Sequence, residues 1–143
     1  MGNGMRNPAR LTVLVLLVML PGVSLAGVER FNGKWQTTVS CEPSRGALGF
    51  SYRFTSEISD GKFQGLHGTQ DRPGYLFVEG TIADDGSAKL YAKGMTNSKE
   101  FVPGRDTPPG TDYGYHVNAQ FNDRTGAGRR VEGRPCSYEF ERQ

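Results

Sequence analysis

The side chains in this sequence that could do acid–base, metal or nucleophilic chemistry are few, and their spacing is the first constraint on function. There are two histidines, His67 and His116, far apart in the chain. A zinc site built on them would need at least a third ligand, for which Asp71 and Asp112 are the nearest acids in sequence. Asp84, Asp85 and Asp123 stand beside or near glycine in stretches that read as turns, where an aspartate bonds its own backbone, so turn chemistry accounts for them. Paired carboxylates of a glycoside hydrolase have no support beyond these turns. Serines are plentiful, yet no Gly-x-Ser-x-Gly elbow occurs. No pattern specifies a reaction, a metal or a cofactor, and the expectation is a protein that is not an enzyme.

Two further sets of residues carry more information. Cys41 and Cys136 are the only cysteines, and they are not in a Cys-x-x-Cys arrangement, which argues against a redox or zinc pair and for a structural disulfide. The aromatics Phe50, Tyr52, Phe54, Tyr113, Tyr115, Phe121 and Tyr138, with Trp35, alternate along their segments so that they could share one interior. Tyrosine hydroxyls in such an interior need partners. An aromatic wall with a few polar tips is how a small-molecule site looks, and these eight residues are the candidate ligand pocket. A filled aromatic core would use the same residues.

The elements that must position them read as strands. After residue 27 no ten-residue stretch shows apolar residues at helical spacing, whereas period-two alternation recurs. Trp35, Thr37, Val39 and Cys41 share a face of a first strand, and Phe50, Tyr52, Phe54 and Ile58 a face of a second. Asp60-Gly61 is a hairpin turn into a third strand, Lys62 to His67. Leu76, Val78 and Ile82 mark a fourth, and Ala88, Leu90 and Ala92 a fifth. Prolines and glycines between 97 and 112 make the longest loop. Tyr113 to Phe121 form a sixth strand with His116 on its solvent side. Asp123 to Gly128 read as a turn, residues 130 to 132 as a short seventh strand, and Cys136, Tyr138 and Phe140 as one face of the last.

About eight short strands in a meander must close or fold over to cover their edges. A Cys41–Cys136 bridge brings the first and last strands together, since the Cα atoms of bonded cysteines lie within about 7 Å. A single antiparallel up-and-down β-barrel satisfies that directly, with a β-sandwich as the alternative.

Residues 1–26 read as a signal peptide. Arg6 and Arg10 precede an apolar run from Leu11 to Leu20, Pro21-Gly22 ends it, and Ser24 and Ala26 are the small residues that a signal peptidase reads. The run is half the length of a spanning helix. The remaining domain, 27–143, is then exported, periplasmic or secreted, in a compartment where a lone cysteine pair oxidises. The chain has 17 Lys and Arg against 15 Asp and Glu, and loss of Arg6 and Arg10 makes the two signs equal. Without clustered positive charge, nucleic acid and, after cleavage, the membrane surface are excluded as expected partners.

Phe31-Asn32-Gly33-Lys34-Trp35 opens the first strand with Gly-x-Trp, and this resembles the opening of the calycin group, lipocalins and avidin-like barrels among them. The Asp60 to Gly65 hairpin is similar to the second turn of small calycins, and Thr111-Asp112-Tyr113 to a second lipocalin motif, although His116 stands where an aromatic is expected. The resemblance implies that Trp35 plugs one barrel end beneath a basic residue from a late strand, for which Arg129, Arg130 and Arg134 are candidates. Gly46 to Phe50, His67-Gly68-Thr69 and Pro135-Cys136 resemble segments of small exported bacterial proteins of unassigned function, which implies fold and compartment but no activity. The expectation is a non-catalytic exported barrel that binds a small apolar or amphipathic ligand. The alternative is a protein-interaction module, such as an inhibitor of secreted hydrolases or an envelope-associated partner, acting through the loop 97–112.

Overall fold

The computed structural model describes Met1, Gly2, Gly4 and residues 27–143. The apolar run and cleavage site assigned to the leader, residues 11–26, lie outside the described residues. From residue 27 the chain makes a 3₁₀ turn, Val28–Phe31, and then eight strands: β1 Gly33–Cys41, β2 Phe50–Ser59, β3 Lys62–His67, β4 Leu76–Ile82, β5 Ser87–Met95, β6 Asp112–Phe121, β7 Thr125–Arg130 and β8 Cys136–Arg142. Each pairs antiparallel with the next, and β8 returns to β1, so the sheet is a closed up-and-down barrel. The sandwich is thereby excluded. Among the described residues no helix is long and apolar enough to cross a membrane.

Closure has a covalent mark. In the β1–β8 register Cys41 stands opposite Cys136, and the two are bonded, with Cα atoms 4.0 Å apart. Alternation decides what faces inward, because successive side chains of a strand point to opposite sides of the sheet. Trp35, Thr37, Val39 and Cys41 of β1 are all buried, as are Phe54, Ser56 and Ile58 of β2. Thr37 and Ser56 join their hydroxyls at 2.7 Å, which satisfies the polar pair inside the core.

The seventh strand is Thr125–Arg130, earlier in the chain than the alternation suggested. Glycines at 126 and 128 lower strand propensity, so this segment reads as a turn. Packing overrides that preference. Gly126 lies opposite Phe140 and Gly128 opposite Tyr138. A Cβ at 126 would stand 2.8 Å from the Phe121 ring and one at 128 would stand 2.9 Å from Ala119. The bare inner face of β7 leaves room for large rings on its neighbours. The real turn is Asn122 to Arg124, where the Asn122 side-chain carbonyl accepts from the backbone N–H groups of Arg124 and Thr125. Glu132 has left the barrel and faces His116.

One end of the barrel is closed by Trp35. Its ring packs edge-on against Phe121 with centroids 5.4 Å apart, and its indole N–H donates to the Phe31 carbonyl at 2.9 Å. The Val28–Phe31 turn thus lies across this end as a plug. The arginine over the indole is Arg142, its guanidinium carbon 5.2 Å from the ring centroid. None of Arg129, Arg130 and Arg134 takes that place. Arg142 is the residue opposite Trp35 in the β1–β8 pairing, whereas Arg130 and Arg134 lie toward the other end. Arg142 also donates to the carbonyls of Asn32, Arg30 and Asp123, tying the plug to the end of β8.

Candidate functional site

The opposite end is built differently. Here the strands are joined by the longer connections, 42–49, 68–75, 96–111 and 131–135, against short turns at the Trp35 end. A cavity of about 590 Å³ enters the barrel between them. That lies within the range of about 300–1,000 Å³ common for small-molecule sites.

Its walls come from inward positions at the mouth ends of several strands. Phe50 and Tyr52 of β2, His67 of β3, and Tyr113 and Tyr115 of β6 line it, so four of the eight aromatics expected at a pocket meet there. Tyr52 lies flat on the His67 imidazole with centroids 4.0 Å apart, and Tyr113 runs parallel to Tyr115 at 6.2 Å. Tyr138 is buried close by, where its hydroxyl shares a 2.7 Å hydrogen bond with that of Tyr115. Phe54 is buried beside Tyr52 and His67, with centroids 6.3 and 6.0 Å away. These two rings back the wall without lining it. Trp35 and Phe121 do not belong to the pocket, because both are packed into the closed end.

The loops supply the rest. Phe101, Val102, Pro103 and Thr107 of the 96–111 connection line the cavity. The proline- and glycine-rich loop is therefore part of the site's wall. Arg134 holds it in place. Its guanidinium donates to the carbonyls of Phe101 at 2.8 Å, of Leu48 at 3.0 Å and of Glu42, and it lies over the Phe50 ring at 5.2 Å. The Leu48 N–H donates to the Glu100 carbonyl at 2.7 Å, and the Arg105 guanidinium donates to the Gly46 carbonyl. Loops 42–49 and 96–111 are thus laced into one rim, which the disulfide anchors from below, since Cys41 also lines the cavity.

The tyrosines and His67 of the wall are uncharged groups that can hydrogen-bond. Burial pushes the hydroxyls of Tyr52, Tyr113, Tyr115 and Tyr138 above the ordinary tyrosine range; neighbouring tyrosines add to it for Tyr52, Tyr113 and Tyr138, whereas the hydrogen bond with Tyr138 opposes it for Tyr115. They are protonated hydrogen-bonding groups at neutral pH. Burial also lowers the His67 imidazole, which favours a neutral ring against Tyr52. Among the described residues the hydroxyls of Tyr52 and Tyr113 have no hydrogen-bond partner within the protein, unlike that of Tyr115, and both residues are half-buried at the cavity. They are available to a ligand.

The two histidines do not meet. His116 lies on the outer face of β6 and shares a 2.6 Å hydrogen bond from Nδ1 to Glu132, which also accepts its backbone N–H at 2.7 Å. Among the described residues no three His, Cys, Asp or Glu side chains cluster as a metal site would require. Asp85 accepts from the backbone and hydroxyl of Ser87, a turn role that lowers its carboxyl.

His67, Arg130, Met95 and the loop residues Phe101, Val102, Pro103 and Thr107 line the cavity but were not in the expected pocket. His67 was readable, being two residues beyond Gly65 on the inward face of its strand. Arg130 was not, because its strand was displaced by the glycines before it. The loop residues have no periodicity that could reveal an inward face. Comparison with family models, with curated proteins and with solved structures gave no match.

Proposed function

We propose that this protein is a non-catalytic, exported barrel that holds a small apolar or amphipathic ligand in the mouth opposite Trp35. The cavity of about 590 Å³ carries the reading, because it joins aromatic faces to the unpartnered hydroxyls of Tyr52 and Tyr113. Shaped apolar walls with few polar groups confer binding and orientation. The Cys41–Cys136 bridge supports export to an oxidising compartment, periplasmic or extracellular.

The test is native mass spectrometry of the oxidised 27–143 domain recovered from exported material. The expected result is a small molecule retained at one copy per chain, which is lost in Val102→Trp, where an indole enters the cavity wall. A wild-type domain that never carries or accepts a small molecule would refute the reading. A second reading, a protein-interaction surface at the same rim, has one observation in its favour. Leu48 and Phe101 on the two laced loops are 50% and 37% exposed. Retention of a polypeptide by wild type and its loss on Leu48→Ser with Phe101→Ser would favour it over a small ligand.

A further inference from the structure

The cavity's wall is electrically unbalanced. Arg45, Arg130 and Arg134 line it, against one carboxylate, Asp112. The three arginines have different duties. Arg134 has its guanidinium committed to loop carbonyls, and Arg45 lies exposed at the rim. Arg130 is half-buried at the last inward position of β7, with its guanidinium carbon 4.0 Å above the Tyr115 ring.

Among the described residues, the one hydrogen bond of the Arg130 side chain runs from Nε to the Glu132 carbonyl, and no carboxylate forms an ion pair with it. Glu132, the nearest acid in sequence, is turned outward to His116. Stacking occupies the face of a guanidinium and the Glu132 carbonyl takes Nε, which leaves the two Nη groups, whose N–H groups lie in the plane and match the oxygens of an oxyanion. Gly133, with φ +80°, carries the backbone close past the guanidinium, and a Cβ there would stand 2.7 Å from Nη2, so a larger residue would crowd it. The hydroxyls of Tyr113 and Tyr115 are close enough to feel the charge, which opposes the upward push that burial gives both. A half-buried cation without a counter-ion is costly, and cavities so lined favour a ligand that supplies the missing charge.

We propose, resting on the ligand-binding reading above, that the molecule held here is an amphipathic anion. Its single oxyanion head lies on the edge of Arg130, with the Tyr113 hydroxyl as a further donor. Its flat apolar body lies against Tyr52 and His67. The anion completes the charge balance that the protein leaves open.

The test uses two fluorescent probes with one ring system, anilinonaphthalene sulfonate and its uncharged parent phenylnaphthylamine, titrated into the oxidised 27–143 domain. Wild type should bind both at one site per chain, with the sulfonate about tenfold tighter or more, the size expected of a charge-assisted hydrogen bond. Arg130→Met should remove that preference and leave the neutral probe's affinity unchanged, and Arg130→Lys should keep part of it. Unchanged Trp35 emission in both variants certifies the fold. Equal affinities for the two probes in wild type, or a preference that survives Arg130→Met, would overturn the anion proposal while the cavity stands as a ligand site. Failure of both probes to bind saturably, or binding that persists in Val102→Trp, would overturn the ligand reading and the anion proposal with it.

Discussion

The two ends of this barrel are made from the same strands and do opposite things. At the Trp35 end most strands place a large apolar residue inward, and Gly126 on β7 makes room for one. Trp35, Phe121, Phe140, Phe63 and Ile58 are all no more than 2% exposed. At the mouth the inward positions include Phe50, Tyr52, His67, Tyr113 and Arg130, which are only partly covered and, Phe50 apart, carry polar tips. The arginines show the contrast most clearly. Arg142 lies over an aromatic ring with donors taken by the carbonyls of Arg30, Asn32 and Asp123, whereas Arg130 lies over one with only its Nε bonded, to the Glu132 carbonyl. The closed end is a plug of packed rings, and among the described residues the mouth leaves the hydroxyls of Tyr52 and Tyr113 and the Nη groups of Arg130 without a hydrogen-bond partner.

The sharpest way to break this comparison is to empty one ring from each end. Trp35→Ala should lower unfolding free energy by about 3–5 kcal/mol, the usual cost of removing a fully buried aromatic. Tyr113→Ala, at a half-buried site, should cost about 1 kcal/mol. Urea unfolding followed by circular dichroism measures both, and equal losses would mean that the ends are not specialised.

A smaller effect tests the arginine contrast. A double-mutant cycle of Trp35→Leu with Arg142→Met should give a coupling of about 0.5–2 kcal/mol, because the pair is stacked. The cycle of Trp35→Leu with Arg130→Met should show none beyond about 0.5 kcal/mol, as expected for distant sites. A coupling of Trp35 to Arg130 would restore the arrangement that the calycin resemblance first suggested and remove Arg130 from the mouth.

The smallest effect is a pH dependence specific to the mouth. Burial lowers the His67 imidazole in the folded state, so the unfolded chain binds the proton more readily. Any stability difference from this group is absent above the ordinary histidine value. As pH falls through that value, wild type loses stability until the folded pKa is passed. Wild type should therefore lose more than His67→Gln between neutral pH and pH of about 5. A difference that is constant with pH, or of opposite sign, would place His67 in a solvated or ion-paired setting.

Much of the fold was legible because a barrel strand has a period of two and one buried face. Trp35, Thr37, Val39 and Cys41, or Leu76, Val78 and Ile82, declare their strands by type alone. The cysteine pair, at either end of a meander, then required the first and last strands to meet. What misled was β7, where Gly126 and Gly128 look like a turn locally. They are strand residues because Phe140, Tyr138 and Phe121 need the space that a side chain would take.

The sequence by itself determined the strand faces, the antiparallel order and the disulfide, since each follows from local alternation, turn chemistry or the absence of another partner. Only the tertiary structure decided which aromatics close the barrel and which line its mouth. Both sets share the inward face, and what separates them is their height along the barrel, a property of the registers of all eight strands together. The same registers put Arg142 opposite Trp35 and leave Arg130 above Tyr115, with no ion pair to it among the described residues. Alternation tells a residue's side of the sheet. Its neighbours across the barrel are set only when the sheet closes.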